Sequence, residues 1–126
     1  MIFPTDDWLH GTVAAWADVP ASPGFDFRVQ WVIPKAPEGA GTYTLTIADG
    51  RVTDATAGTD ADADITLTLP YEQARDIQRG QADPSVLYMQ AQLKTAGDNR
   101  TVLRYLELLA SPPGTAAQHA VAALTE

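Results

Sequence analysis

The stretch Asp64-Ile65-Thr66-Leu67-Thr68-Leu69-Pro70 alternates polar and apolar side chains one by one. Successive side chains of a strand point to opposite faces. Ile65, Leu67 and Leu69 therefore share one face, and Asp64, Thr66 and Thr68 share the other. A strand with one apolar face needs cover on that side only. The residues that follow supply the cover in pieces. A short helical pattern, with Tyr71, Ala74, Ile77 and Gln78, closes at Gly80. Asp83 caps a second short helix with Pro84 at its first position, and Val86, Leu87 and Met89 are its apolar set. A strand is expected at Gln92-Leu93-Lys94-Thr95. After Gly97, Asp98 caps a helix on which Val102, Leu103, Leu106 and Leu109 form a stripe, bordered by Tyr105.

Upstream the same alternation returns twice. Phe25, Phe27, Val29, Trp31 and Ile33 interleave with Asp26, Arg28, Gln30 and Val32, which predicts a strand. Tyr43, Leu45 and Ile47 interleave with Thr42, Thr44 and Thr46, and Asp49-Gly50 then forms a tight hairpin turn. The return strand, Arg51 to Ala57, is weakly patterned and belongs near an edge. Pro34 to Gly41 holds two prolines and two glycines and reads as a loop. The polar faces are rich in threonine, so the helices are expected on one side of the sheet. At the start, Thr5 caps a helix on which Trp8, Leu9, Thr12, Val13 and Trp16 make one face, ending before Val19-Pro20. Ser111-Pro112-Pro113-Gly114 reads as a break, with an alanine-rich helix possible from Thr115 to Leu124.

At 126 residues one domain is the natural expectation. With a net charge of −8 and only Lys35 and Lys94 as lysines, the chain lacks the clustered cations that phosphate-backbone binding needs. No nucleic-acid partner is expected, nor a polybasic contact with anionic membranes. Cysteine is absent, which removes disulfides and thiolate metal sites and is compatible with the cytoplasm, the location we expect. The first residues show no basic and apolar signal pattern. No run approaches the roughly 18 apolar residues of a spanning helix.

The signals for catalysis or metal binding are thin. Asp60, Asp62 and Asp64 imitate the start of a calcium loop, but the sixth and twelfth positions are Ile65 and Tyr71 instead of glycine and glutamate. They are expected to form a solvated turn. Gly39-Ala40-Gly41 leads into a strand and reads as turn chemistry, not as a dinucleotide fingerprint. The histidines, His10 and His119, have no metal spacing, and Ser22, Ser85 and Ser111 lie in no nucleophile elbow. Arg75, Arg79, Arg100 and Arg104 are positioned to pair with nearby acids. Neither a metal nor a cofactor is expected, and no catalytic residue.

The ordered set formed by Ala63 to Leu69, the helix ending at Gly80, Asp83-Pro84-Ser85-Val86-Leu87-Tyr88-Met89-Gln90-Ala91-Gln92-Leu93-Lys94, Gly97-Asp98 and the leucine helix resembles the sterol carrier protein type-2 domain family. The hairpin from Tyr43 to Val52 fits an earlier hairpin of that family, and the likeness spans Phe25 to Leu109. Where the family carries glycine before the lysine-containing strand, this chain has Ala91, while Gly97 is kept. The resemblance implies an α+β fold: a five-stranded, mostly antiparallel sheet with helices on one face, enclosing an apolar tunnel. It implies a non-catalytic carrier of a hydrophobic small molecule such as a fatty acid, acyl-CoA, sterol or phospholipid. It also makes the segment 111–126 the piece that opens or closes the tunnel mouth. From strand and helix phase, the expected wall is Phe27, Val29, Trp31, Tyr43, Leu45, Leu67, Tyr88, Met89, Leu103 and Leu106. Tyr88 and Gln90 are the expected polar contacts. Two alternatives stand beside the carrier. One is an interaction domain with a filled core, such as a homodimer. The other is an enzyme acting on a small apolar substrate through His10 or a carboxylate.

Overall fold

The structure, a computed structural model, describes residues 1–37 and 41–126. Residues 38–40, and with them most of the expected Gly39-Ala40-Gly41 turn, lie outside the described residues. The elements in order are α1 (Asp6–Ala17), β1 (Phe27–Val32), β2 (Thr42–Ala48), β3 (Arg51–Ala57), β4 (Ile65–Thr68), α2 (Tyr71–Gln78), α3 (Pro84–Met89), β5 (Lys94–Gly97), α4 (Asn99–Ala110) and α5 (Pro112–Leu124). The strand order is β3-β2-β1-β4-β5. All pairs are antiparallel except β1 with β4, so the fold is α+β with a mostly antiparallel sheet.

The register puts the apolar residues in one layer. Trp31 sits between Tyr43 on β2 and Leu67 on β4, and Val29 sits between Leu45 and Ile65. All six are buried. α1 and α4 lie directly on this layer, where Trp8 meets Tyr43 edge-on and Tyr105 meets both Phe27 and Trp31. α5 packs against α1, α4 and α2. The opposite face carries the threonines. There the turn after β3 folds over part of the sheet: Gln30 accepts a hydrogen bond from the Asp60 amide and donates one to Thr66. This buries Gln30 without a helix. The Asp60–Asp64 segment is occupied with local bonds. Asp60 pairs with Arg28 at 3.5 Å and accepts from the Asp62 amide, and Asp64 accepts from the Arg28 amide.

Several elements differ from the sequence reading. β3 looked patternless because its register slips between Thr46 and Ile47 of its partner. The extra residue brings Val52 and Ala55 to the buried face although they are three apart. β5 begins at Lys94, two residues later than expected, and all four of its residues are exposed. The buried Leu93 precedes it and anchors its entry. Ser111-Pro112-Pro113-Gly114 opens α5 and does not break the chain. The Ser111 hydroxyl accepts from the Gly114 amide, and proline costs nothing in a first turn whose amides have no partner. Gly114 is required there, because any Cβ would collide with the Leu108 carbonyl of α4. Arg75 and Arg104 pair with rings: Arg75 lies over Tyr71, and Arg104 lies over Phe25 and donates to the Gly24 carbonyl.

Ala91, which stands where the resembling family carries glycine, has φ +58°. It ends α3 in the left-handed conformation, which costs a residue with a Cβ roughly 1–2 kcal/mol. Part of that returns through the greater unfolded-state freedom of glycine. Ala91→Gly is therefore expected to raise stability by roughly 0.5–1 kcal/mol, read as a higher urea midpoint at unchanged slope.

Candidate functional site

The space between sheet and helices is almost closed. Among the described residues an enclosed cavity of about 30 Å³ remains, room for one or two waters. Its floor is Trp31, Tyr43, Leu45 and Val52 of the sheet. Its roof is Trp8, Thr12 and Trp16 of α1, Ile77 and Gln78 of α2, Tyr105 and Leu109 of α4, and Gln118 and Val121 of α5. Outside it, a cleft of about 480 Å³ runs between the α2–α3 turn, the end of α4 and the first turns of α5. That is within the usual range for a small-molecule site. Ile77, Leu109 and Gln118 line both spaces. The Gln118 amide is tied to the carbonyls of Leu109 at 2.5 Å and Gly114 at 3.1 Å. Asp83, Ser85, Thr115 and His119 make the cleft's outer rim polar.

Of the residues read from the sequence as the wall, Trp31, Tyr43 and Leu45 line the enclosed cavity. Phe27, Val29, Leu67 and Leu106 are buried in the surrounding core. The others are not brought to the interior. Met89 is 83% exposed, because a helix of six residues has one inward stripe and Pro84 and Leu87 occupy it. Leu103 is 49% exposed. α4 turns Val102, Tyr105, Leu106 and Leu109 inward, so the inward stripe runs through Tyr105 and not Leu103. Tyr88 is half-buried, and its hydroxyl donates to Asn99 on the outside of α4. Gln90 is exposed and accepts from Gln92. Trp8 and Trp16 were visible in sequence as one helix face, but Gln118 gave no signal at all.

Two phenols dominate the electrostatics of the cavity. Burial pushes the Tyr105 hydroxyl from its ordinary 10.0 up to about 12, partly opposed by its hydrogen bond with Trp31. The Tyr43 hydroxyl is raised well above the ordinary value, first by burial and then by the nearness of Tyr105. Both stay protonated near neutrality and remain hydrogen-bond donors. The Trp31 indole N–H donates to the Tyr105 oxygen at 3.3 Å. Among the described residues no group of three or more acids or histidines stands close enough to hold a metal ion. Among them, too, no helix is long and apolar enough to cross a membrane.

A family model for the SCP-2 sterol transfer family matches residues 13–110. The chain belongs to that family. Similar solved structures agree with this. A sterol carrier protein 2 shares 15% identity, with a TM-score of 0.71, over 90% of this chain and 95% of its own. A conserved hypothetical protein of Thermus thermophilus, described as possibly a sterol carrier protein, shares 14% identity, with a TM-score of 0.74, over 97% of this chain and 89% of its own. A palmitated SCP2L2 of Aedes aegypti shares 15% identity, with a TM-score of 0.64, over 85% of this chain and 96% of its own. At these identities the structures speak to the fold. No curated protein sequence gives a significant match.

The raised phenols carry a stability signature. Above pH 10 the unfolded chain releases the Tyr105 proton, while the folded chain holds it until about pH 12. Stability is complete below the lower value and falls as pH rises through this window, by roughly 3 kcal/mol for a two-unit shift. Tyr105→Phe should weaken the pH dependence of the urea midpoint between pH 10 and 12, and the dependence that remains is due to Tyr43, whose hydroxyl is raised in the same direction.

Proposed function

We propose that this chain is a non-catalytic carrier of a hydrophobic small molecule, held between the sheet and the helices and admitted through the outer cleft. Membership of a sterol transfer family supports lipid binding in general. The observation that supports the specific route is the shared lining: Ile77, Leu109 and Gln118 line both the cleft and the cavity. Freeing Gln118 gives up two hydrogen bonds, roughly 1 kcal/mol each. Burying six methylenes returns roughly 5 kcal/mol. A medium-length chain therefore outweighs the latch. In this reading α5, residues 112–124, is the moving part, and the polar rim of the cleft meets the head of the ligand. The palmitated Aedes aegypti protein, which has the same fold, supports an acyl chain as one guest such a fold can take.

A second reading is favoured by the small size of the cavity: an interaction domain whose core is filled by its own side chains. Exposed Val86, Met89 and Leu103 would then be the surface for a second copy.

The two readings separate on one pair of measurements. Denaturing mass spectrometry of an organic extract of the purified protein should show a lipid, and a fluorescent fatty acid should be taken up. Gln118→Ala should speed that uptake several-fold. An empty extract, with no uptake by the native chain or by Gln118→Ala, selects the filled-core reading.

A further inference from the structure

All three tryptophans of the chain, Trp8, Trp16 and Trp31, line the enclosed cavity, and two of its four tyrosines, Tyr43 and Tyr105, join them. Half of the chain's ten aromatic side chains therefore surround a space the size of one or two waters. Thr12, Gln78 and Gln118 line it too, the Gln118 amide donating to the Leu109 and Gly114 carbonyls. Only part of this polar capacity is used internally. Trp31 donates to Tyr105, and Thr12 donates to the Trp8 carbonyl. The Trp31–Tyr105 bond is long at 3.3 Å. It consumes an acceptor position of the Tyr105 oxygen and leaves its proton free to be offered elsewhere.

This wall suits some guests better than others. A saturated chain presses against aromatic faces without stacking and offers nothing to two phenol protons. A buried donor left unpaired costs about 1–3 kcal/mol. A flat aromatic ring gains edge-to-face and stacked contacts with the indoles, and an oxygen on the ring accepts from a phenol. We propose that the preferred guest of this interior is a planar aromatic ring compound bearing an oxygen acceptor, rather than a saturated acyl chain. The proposal rests on the carrier reading and narrows its ligand class.

The test compares flavone, 2-phenylnaphthalene and palmitate on the full chain. Flavone and 2-phenylnaphthalene have similar flat shapes, and only flavone carries a carbonyl. Tryptophan fluorescence reports on the cavity directly, because no tryptophan lies elsewhere, and equilibrium dialysis gives the affinities. Flavone should bind about tenfold or more tightly than 2-phenylnaphthalene, as one good hydrogen bond dictates. It should also bind more tightly than palmitate. In the Tyr43→Phe and Tyr105→Phe double variant the flavone advantage over the hydrocarbon should shrink to about threefold or less. Circular dichroism establishes that the variant is folded, and should it not be, each single variant gives the same comparison. Palmitate binding tightest overturns the ring assignment and leaves the carrier reading standing. Equal affinity for flavone and 2-phenylnaphthalene does the same, as does an advantage indifferent to both tyrosines. Failure of all three compounds to bind either the native chain or Gln118→Ala overturns both.

Discussion

Trp31 and Tyr105 meet at the centre of the molecule, and their contact sets how the helical layer sits on the sheet. Trp31 is on the middle strand, flanked by Tyr43 and Leu67, and is only 1% exposed. A buried indole N–H needs an acceptor, and the Tyr105 hydroxyl provides it. Turning Tyr105 inward fixes the rotation of α4 about its axis. Val102, Leu106 and Leu109 then share the buried stripe and Leu103 is turned out. The direction of α4 in turn places Ser111 and Gly114, where the chain crosses its own last carbonyls and starts α5. α5 completes the roof over the same tryptophan. A sequence of local choices thus follows from one desolvated polar group.

Much of this was legible before any coordinates. β1, β2 and β4 each turn an apolar face to the helices and a mostly polar face away from them, and that asymmetry writes itself into the sequence as alternation, although Gln30 and Thr44 on the far face are buried as well. The caps at Thr5 and Asp83 were equally plain, and so was the turn at Asp49-Gly50; Asp98 holds the N-cap position of α4, but its carboxylate accepts from the Thr101 hydroxyl and caps no backbone amide. Signals failed where no such asymmetry exists. Lys94-Thr95-Ala96-Gly97 pairs with β4 on one edge and is exposed along its length, so neither face imposes a pattern. In β3 the extra residue breaks the period that the eye follows. On α4 the apolar set is wide enough to admit two stripes a few tens of degrees apart, and only the partner of Trp31 decides between them.

Placement in the interior was legible where it is a local property. Trp31, Tyr43 and Leu45 could be put on the inner layer because a sheet's inner face is set by alternation alone. The roof is not local. Gln118 reaches the cavity because α5 lies across α4 and α1, and nothing in an alanine-rich segment marks which of its residues faces inward. Ala117 and Val121 are buried beside it, yet the polar residue is the one that lines both the cavity and the cleft. Tyr88, Met89 and Gln90 do not face the interior, and α3 is too short for that phase to be read from three apolar residues.

The near-absence of space beneath the helices has a thermodynamic explanation. An empty apolar void costs about 24 cal/mol per Å³. A vacant tunnel of some 300 Å³, at the lower end for a small-molecule site, would cost roughly 7 kcal/mol. That is comparable to the whole stability of an ordinary domain, roughly 5–15 kcal/mol. An interior closed by its own indoles and phenols avoids that cost. Under the carrier reading proposed above, opening is part of binding, and the affinity is the gain from the guest less the cost of lifting the roof. Aromatic walls suit such an arrangement. Large flat side chains close a gap by rotating, and their edges and faces can meet either one another or an incoming ring. The hydrogen bonds of Gln118 to the Leu109 and Gly114 carbonyls tie α5 to the end of α4 beside this closed interior.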